Sequence, residues 1–167
     1  METEPTPTPE TELRSAQSST IEQEITDILG KITEYAGFRV KLELKEAEDG
    51  YYVNIHTRSS DGIIIGKRGE TLRALQYLLK AILKRRYPDF QRITLDVGGY
   101  RLRRENFLRK KALAIAKIVI ETKREMALDP LTDKERAVVE EVLRPLTGIR
   151  SYTIGSGIRK NVIVAPV

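Results

Sequence analysis

Between residues 20 and 36 the apolar side chains fall at Ile21, Ile25, Ile28, Leu29 and Ile32. Their gaps of four, three, one and three trace one face of a helix. Ser19 or Thr20 is placed to cap its start and Gly37 to close its end. From Phe38 the period drops to two. Phe38, Val40, Leu42 and Leu44 share a face, and the alternation resumes at Tyr51, Val53 and Ile55 after Asp49-Gly50, a hairpin signal. A short helix is expected over 61–66. A longer one is expected over 70–87 on Leu72, Leu75, Leu78, Leu79 and Ile82, stopped by Pro88. "RITLDV" reads as a further strand. The order is therefore helix, strand, strand, helix, turn, helix, strand.

Gly98-Gly99 marks a boundary. A long basic amphipathic helix follows from Tyr100 to about Leu128, its apolar stripe formed by Leu108, Ala112, Ile115, Ala116, Val119 and Ile120. Thr132 with Glu135 three residues on makes a capping-box pattern that restarts a helix. Pro145 and Gly148 close it, and residues 149–167 read as two strands around Gly155-Ser156-Gly157. At the other end, residues 1–19 are rich in Pro, Thr and Glu and hold a single leucine. So little apolar surface does not offset ordering entropy, and a disordered acidic tail is expected. The division is 1–19 tail, 20–97 first domain, 98–167 second domain, in an α+β class.

The chain has 167 residues and no cysteine, which removes disulfides, thiolate zinc sites, iron–sulfur clusters and cysteine nucleophiles together. It has no apolar run long enough to span a bilayer and no basic-then-apolar secretory start, so a cytoplasmic protein without stable membrane insertion is expected. The net charge is +5. Residues 67–111 carry fourteen Lys/Arg against four acids, a local net of +10. A block this basic points to a polyanion: nucleic acid or an anionic membrane surface.

Inside that block begins "GIIIGKRGETLRALQYL", residues 62–78. A Walker loop is excluded, because only three residues separate Gly62 from Gly66 and Arg68 stands where Ser/Thr must hold the metal. No Gly-x-Gly-x-x-Gly follows a strand. A Gly-x-x-Gly turn between two helices fits better. Gly66 and Gly69 let a sugar-phosphate backbone approach, Lys67 and Arg68 face the phosphates, and the next helix opens with its positive dipole end. Ile63, Ile64, Ile65 and Leu72 are placed to floor a groove for unpaired bases, with Arg73 one turn on. This is the KH arrangement, whose loop clamps about four nucleotides.

"DGIIIGKRGETLRALQYLLKAIL", "DVGGYRLRRENFLRKKALAIAKIV" and "LDPLTDKERAVVEEVL" together resemble the Jag (KhpB, SpoIIIJ-associated) family over roughly residues 20–167. That resemblance implies a type II KH domain, α-β-β-α-α-β with a three-stranded sheet and helices on one face, followed by a small α/β R-3-H domain. It implies a bacterial cytosolic RNA-binding protein. Gly66, Lys67, Arg68 and Gly69 take the place of the clamp, and Arg101, Arg103 and Arg104 that of the basic start of the second domain. The Arg-x-x-x-His signature falls on Arg136 to Glu140, so glutamate stands where the family has histidine. Arg136 and Glu140, four apart on a helix, are also spaced to pair as ions. Roles that rest on the family's additional N-terminal domain are not carried over to the acidic tail.

Other residues keep two readings. Tyr51, Tyr52 and Tyr77 either stack on bases or sit half-buried. Arg101, Arg103 and Arg104 contact phosphate or form a solvated helix face, and Arg159 and Lys160 reach phosphate from the last turn or do not. His56, the sole histidine, reads as a strand-surface residue. One histidine and no convincing carboxylate constellation argue against an enzyme, a cofactor or a metal site. The expectation is a non-catalytic binder of single-stranded RNA or single-stranded DNA. Family resemblance adds an RNA chaperone or post-transcriptional regulator role and a small single-KH partner protein. The alternative is an adaptor whose basic face meets an anionic membrane or an acidic protein.

Overall fold

The computed structural model describes residues 9–47, 50–90 and 92–167, with side chains from residue 19 onward. The chain divides into two compact units, one ending at Tyr100 and one spanning Arg101–Val167.

In the first unit, α1 (Pro9–Tyr35) leads into β1 (Val40–Ala47) and β2 (Gly50–Thr57). α2 (Asp61–Ile65), a single 3-10 turn (Lys67–Gly69) and α3 (Glu70–Arg86) then precede β3 (Ile93–Val97). The helix starts well before Ser19 and Thr20, which lie inside it and do not cap it. Helix thus replaces the expected tail over residues 9–19, where Glu10, Glu12, Leu13, Arg14, Ala16 and Gln17 supply strong helix propensity. Residues 1–8 of that expected tail lie outside the described residues. At the other end, Gly37 takes φ +80, with Gly37 N–H on Glu34 O and Phe38 N–H on Thr33 O. These two bonds are the Schellman closure.

The sheet order is β1-β2-β3, with β1 antiparallel and β3 parallel to β2. Ala47 pairs with Gly50, leaving two residues, both outside the described set, for the connection. Ile25 and Leu29 of α1, Leu72, Leu75, Leu79 and Leu83 of α3, and Val53, Ile55, Leu95 and Val97 of the strands form one buried core. This is an α+β unit with its helices packed through that core. Two expected stripe members, Leu78 and Ile82, remain 53% and 37% exposed, and Leu83 is buried instead.

The second unit begins with most of α4 (Tyr100–Thr122), followed by β4 (Met126–Ala127), α5 (Asp133–Leu143), β5 (Ile149–Ile154) and β6 (Asn161–Pro166). β6 is central, antiparallel to both β4 and β5. α4 stops at Thr122, short of the expected Leu128, and Lys123 turns with φ +55. Met126 and Ala127 then pair with Val164 and Ile163. Leu108, Ala112, Ile115, Ala116 and Val119 pack on Leu128, Leu131, Val139, Leu143, Val162 and Val164. Ile120, expected in that stripe, stays 40% exposed. Thr132 and Glu135 form the capping box at the start of α5. Among the described residues no helix is long and apolar enough to cross a membrane.

Candidate nucleic-acid interface

Residues 62–73 build the candidate site in the first unit. α2 ends where Gly66 N–H donates to Gly62 O, and Gly66 takes φ +70, ψ −179. A Cβ there would collide with the Thr71 side chain and lie 2.9 Å from Thr71 N. Gly69 caps α3 in the left-handed region at φ +75, and a Cβ on it would stand 2.9 Å from the Tyr100 ring. Neither position admits a side chain. Between them Arg68 also adopts a left-handed conformation, φ 54 and ψ 33, which costs a non-glycine residue about 1–2 kcal/mol. Residues held in such conformations concentrate at ligand clamps.

The turn presents Lys67 exposed, Arg68 half-buried and Arg73 half-buried one turn into α3. Gly69 N–H donates to Gly66 O and Glu70 N–H to Lys67 O, so the turn itself uses two amides at the start of α3. Glu70 also adds a negative charge to the first turn. The attraction for an anion therefore rests mainly on the cationic side chains.

The expected groove residues divide. Ile64 and Leu72 are 3% and 2% exposed and belong to the core, so they shape the site from beneath and offer no surface to a base. Ile65 is partly buried against the same core, and Ile63 is 63% exposed. Tyr51 stacks on Phe90 with centroids 6.0 Å apart. Tyr52 donates its hydroxyl to Asp96, whose carboxylate is buried. Only Tyr77, 74% exposed, keeps a largely open ring among the three. Two contacts had no signal in the sequence. Tyr100 packs against Gly69, and the Gln76 amide oxygen accepts the Leu95 N–H of the edge strand β3 at 2.9 Å.

The basic residues of the second unit are less available than their density suggests. Arg104 Nε donates to Glu135 Oε1 at 2.9 Å, with side chains only 17% and 15% exposed, and its guanidinium lies 5.7 Å from the Phe107 ring centre. Burial pushes the Glu135 carboxyl up, but the Thr132 N–H, the Arg104 guanidinium and the Thr132 hydroxyl outweigh it. The carboxyl is therefore held below its ordinary range. Arg136 does not pair with Glu140 as its spacing suggested. It donates to Asp133 Oδ1 at 2.7 Å, and its Nε is buried with no partner among the described residues. Arg103 is exposed, and Arg101, Arg159 and Lys160 are half-buried. Lys160 is also tied through its backbone to Leu131. Among the described residues no group of three or more His, Cys, Asp or Glu is placed to hold a metal.

A strand, two helices joined by a Gly-x-x-Gly turn, and a strand parallel to the first make the first unit KH-like. Residues 22–97 match the family model "KhpA/KhpB, KH domain". The longer chain is similar to proteins named RNA-binding protein KhpB. With the one from Clostridium symbiosum it shares 31% identity over 133 residues, 79% of this chain and 60% of the relative. With that of Bacillus subtilis it shares 31% over 111 residues, 65% of this chain and 53% of the relative. With that of Lactiplantibacillus plantarum it shares 28% over 152 residues, 91% and 47%. The chain thus spans only about half to three-fifths of these relatives' length.

Proposed function

We propose that the chain is a KhpB-type, non-catalytic binder of single-stranded RNA. In this reading the first unit is a type II KH domain and the second an R-3-H domain. The observation that carries it is the Gly66–Gly69 turn: two glycines without room for a Cβ, a strained Arg68, and Lys67 exposed between them. A phosphate backbone approaches closest where side chains are missing and cations flank the gap. Lys67, Arg68 and Arg73 hold the phosphates, and bases lie over Ile65 and the start of α3. Arg101, Arg103, Arg136, Arg159 and Lys160 supply secondary contacts, and Arg104 serves the fold through Glu135. Single-stranded DNA shares the backbone chemistry and binds by the same route. The reading extends to a cytosolic role as RNA chaperone or post-transcriptional regulator, and the similarity to proteins named RNA-binding protein KhpB supports its RNA-binding part. The exposed Tyr77, Leu78 and Ile82 on α3 offer an apolar face to a small single-KH partner.

The test is binding of a labelled single-stranded RNA by the native chain and by Lys67→Asp/Arg68→Asp across a salt series. Both glycines remain, and circular dichroism checks the fold. The expected result is lost affinity and a shallower salt slope, by about 0.7 per phosphate contact removed. Native affinity in the variant sinks the reading. One observation favours the adaptor alternative: Leu102, Phe107 and Leu113 stand 66%, 52% and 50% exposed on basic α4. Pelleting with anionic vesicles in the absence of RNA binding decides for it.

A further inference from the structure

A second basic cluster lies in the first unit, outside the +10 block. The β1–β2 ladder ends at the pair Val40 and Thr57. Continuing its register by one residue sets Arg39 opposite Arg58. Lys41, paired with His56, is two residues along on the same face as Arg39. All three cations are exposed, and none of their side chains makes an ion pair or hydrogen bond among the described residues. Together with the hydroxyl-bearing Ser59 and Ser60 they line a cleft of about 440 Å³ that no carboxylate lines. His56 and Thr57 also line it, and each holds an acid at its margin: Glu43 accepts from His56 at 3.2 Å and from Lys45 at 3.4 Å, and Asp61 accepts the Thr57 hydroxyl.

Like charges that line one cleft repel, and no carboxylate lines this one. An anion seated between Arg39 and Arg58 removes that repulsion. The cleft is also close to the Gly66–Gly69 turn along the chain. Arg58, Ser59 and Ser60 run directly into α2, whose five residues rise only about 7.5 Å before Gly66.

We propose that this cleft is a second phosphate-binding subsite for the same single-stranded RNA, reached by nucleotides beyond those in the Gly-x-x-Gly turn. The proposal rests on the RNA-binding reading above. Arg39 and Arg58 grip one phosphate from both sides, and Lys41 and the Ser59 and Ser60 hydroxyls complete the contact. The first unit then tracks a strand longer than the four or so nucleotides that one KH turn holds.

The test uses the full chain with two labelled RNAs, one of about four nucleotides and one about three times as long. Binding is measured from about 50 to 200 mM salt. The variants are Arg39→Gln/Arg58→Gln, both outside the last ladder pair and so harmless to the strands, and Arg39→Ala/Lys41→Ala/Arg58→Ala. Both are expected to bind the short RNA as the native chain does and to lose the extra affinity of the long one. Their salt slopes on the long RNA should each fall by about 0.7, the value for one phosphate contact. Native affinity and slope on the long RNA, with Lys67→Asp/Arg68→Asp crippled, overturns the subsite and leaves the loop reading standing. Native binding by every variant overturns both. Loss of pelleting with phosphatidylserine vesicles by the triple variant, with RNA binding intact, assigns the cleft to a lipid headgroup and also overturns the proposal.

Discussion

Replacing Glu135 with alanine removes two supports of the second unit at once. Its carboxylate accepts from the Thr132 N–H at 2.9 Å and the Thr132 hydroxyl at 3.0 Å, one half of the capping box. The same carboxylate holds the Arg104 guanidinium. Losing the cap half costs about 1 kcal/mol. Stranding a fully buried charge costs about 3–5 kcal/mol, and the residual exposure of this pair lowers that to about 2 kcal/mol. The expected total is about 3 kcal/mol, a large part of the 5–15 kcal/mol typical of a domain. Urea denaturation followed by circular dichroism measures it at pH 7. Glu135→Gln retains an acceptor for Thr132 and should cost about half as much. Arg104→Met in the Glu135→Ala background should recover part of the loss, because no guanidinium is then left unpaired.

The pH dependence carries a definite sign. The Glu135 carboxyl is held below the ordinary glutamate range, so its contribution is fully present above that range. The contribution declines as pH falls through the lower folded-state value. The native chain should therefore lose stability below about pH 4.5 by an increment that Glu135→Gln lacks. A Glu135→Ala cost below about 1 kcal/mol, with no change in the acid limb, would refute the view that this pair is shielded from water.

Two further outcomes follow from the geometry. Gly66→Ala combines a left-handed φ with a collision against Thr71, and should cost about 2–4 kcal/mol in a urea melt; a cost near zero would mean the turn relaxes freely. Glu140→Gln deletes a negative charge one helical turn beyond Arg136, and should raise RNA affinity several-fold at low salt if the second unit touches the strand; unchanged affinity across the salt series would take α5 out of the interface.

The elements were legible wherever a period ran long enough. The two-residue alternation of β1 and β2, the helical spacing of α3 and the capping box that opens α5 all return in the fold. β4 was not legible, since Met126 and Ala127 are too few to show a period. The turn at Lys123 has neither glycine nor proline to announce it. The Arg136 pairing shows a subtler limit. Acids lie both three residues before and four after, and spacing alone does not choose. Helical side chains lean toward the N-terminus, which carries Arg136 to Asp133 and away from Glu140. The Gly-x-x-Gly turn was plain in the sequence, but Ile64 and Leu72 were read as groove when they are core. Three consecutive isoleucines on a helix point three ways, and nothing local says which one faces inward. The Arg39, Lys41 and Arg58 cleft was hidden altogether, because strand pairing assembles it from segments about twenty residues apart.

The parallel pairing of β2 with β3 has a kinetic consequence. The β1–β2 hairpin closes through near neighbours, whereas Tyr51 meets Ile93 only after the intervening helices have been laid down. Non-local parallel pairing of this kind forms late and slowly. The Gly66–Gly69 turn lies inside that crossover, and Tyr100, which packs on Gly69, comes after β3. During synthesis the turn thus emerges before the residues that fix it. The turn acquires its final packing only once residue 100 has cleared the ribosome.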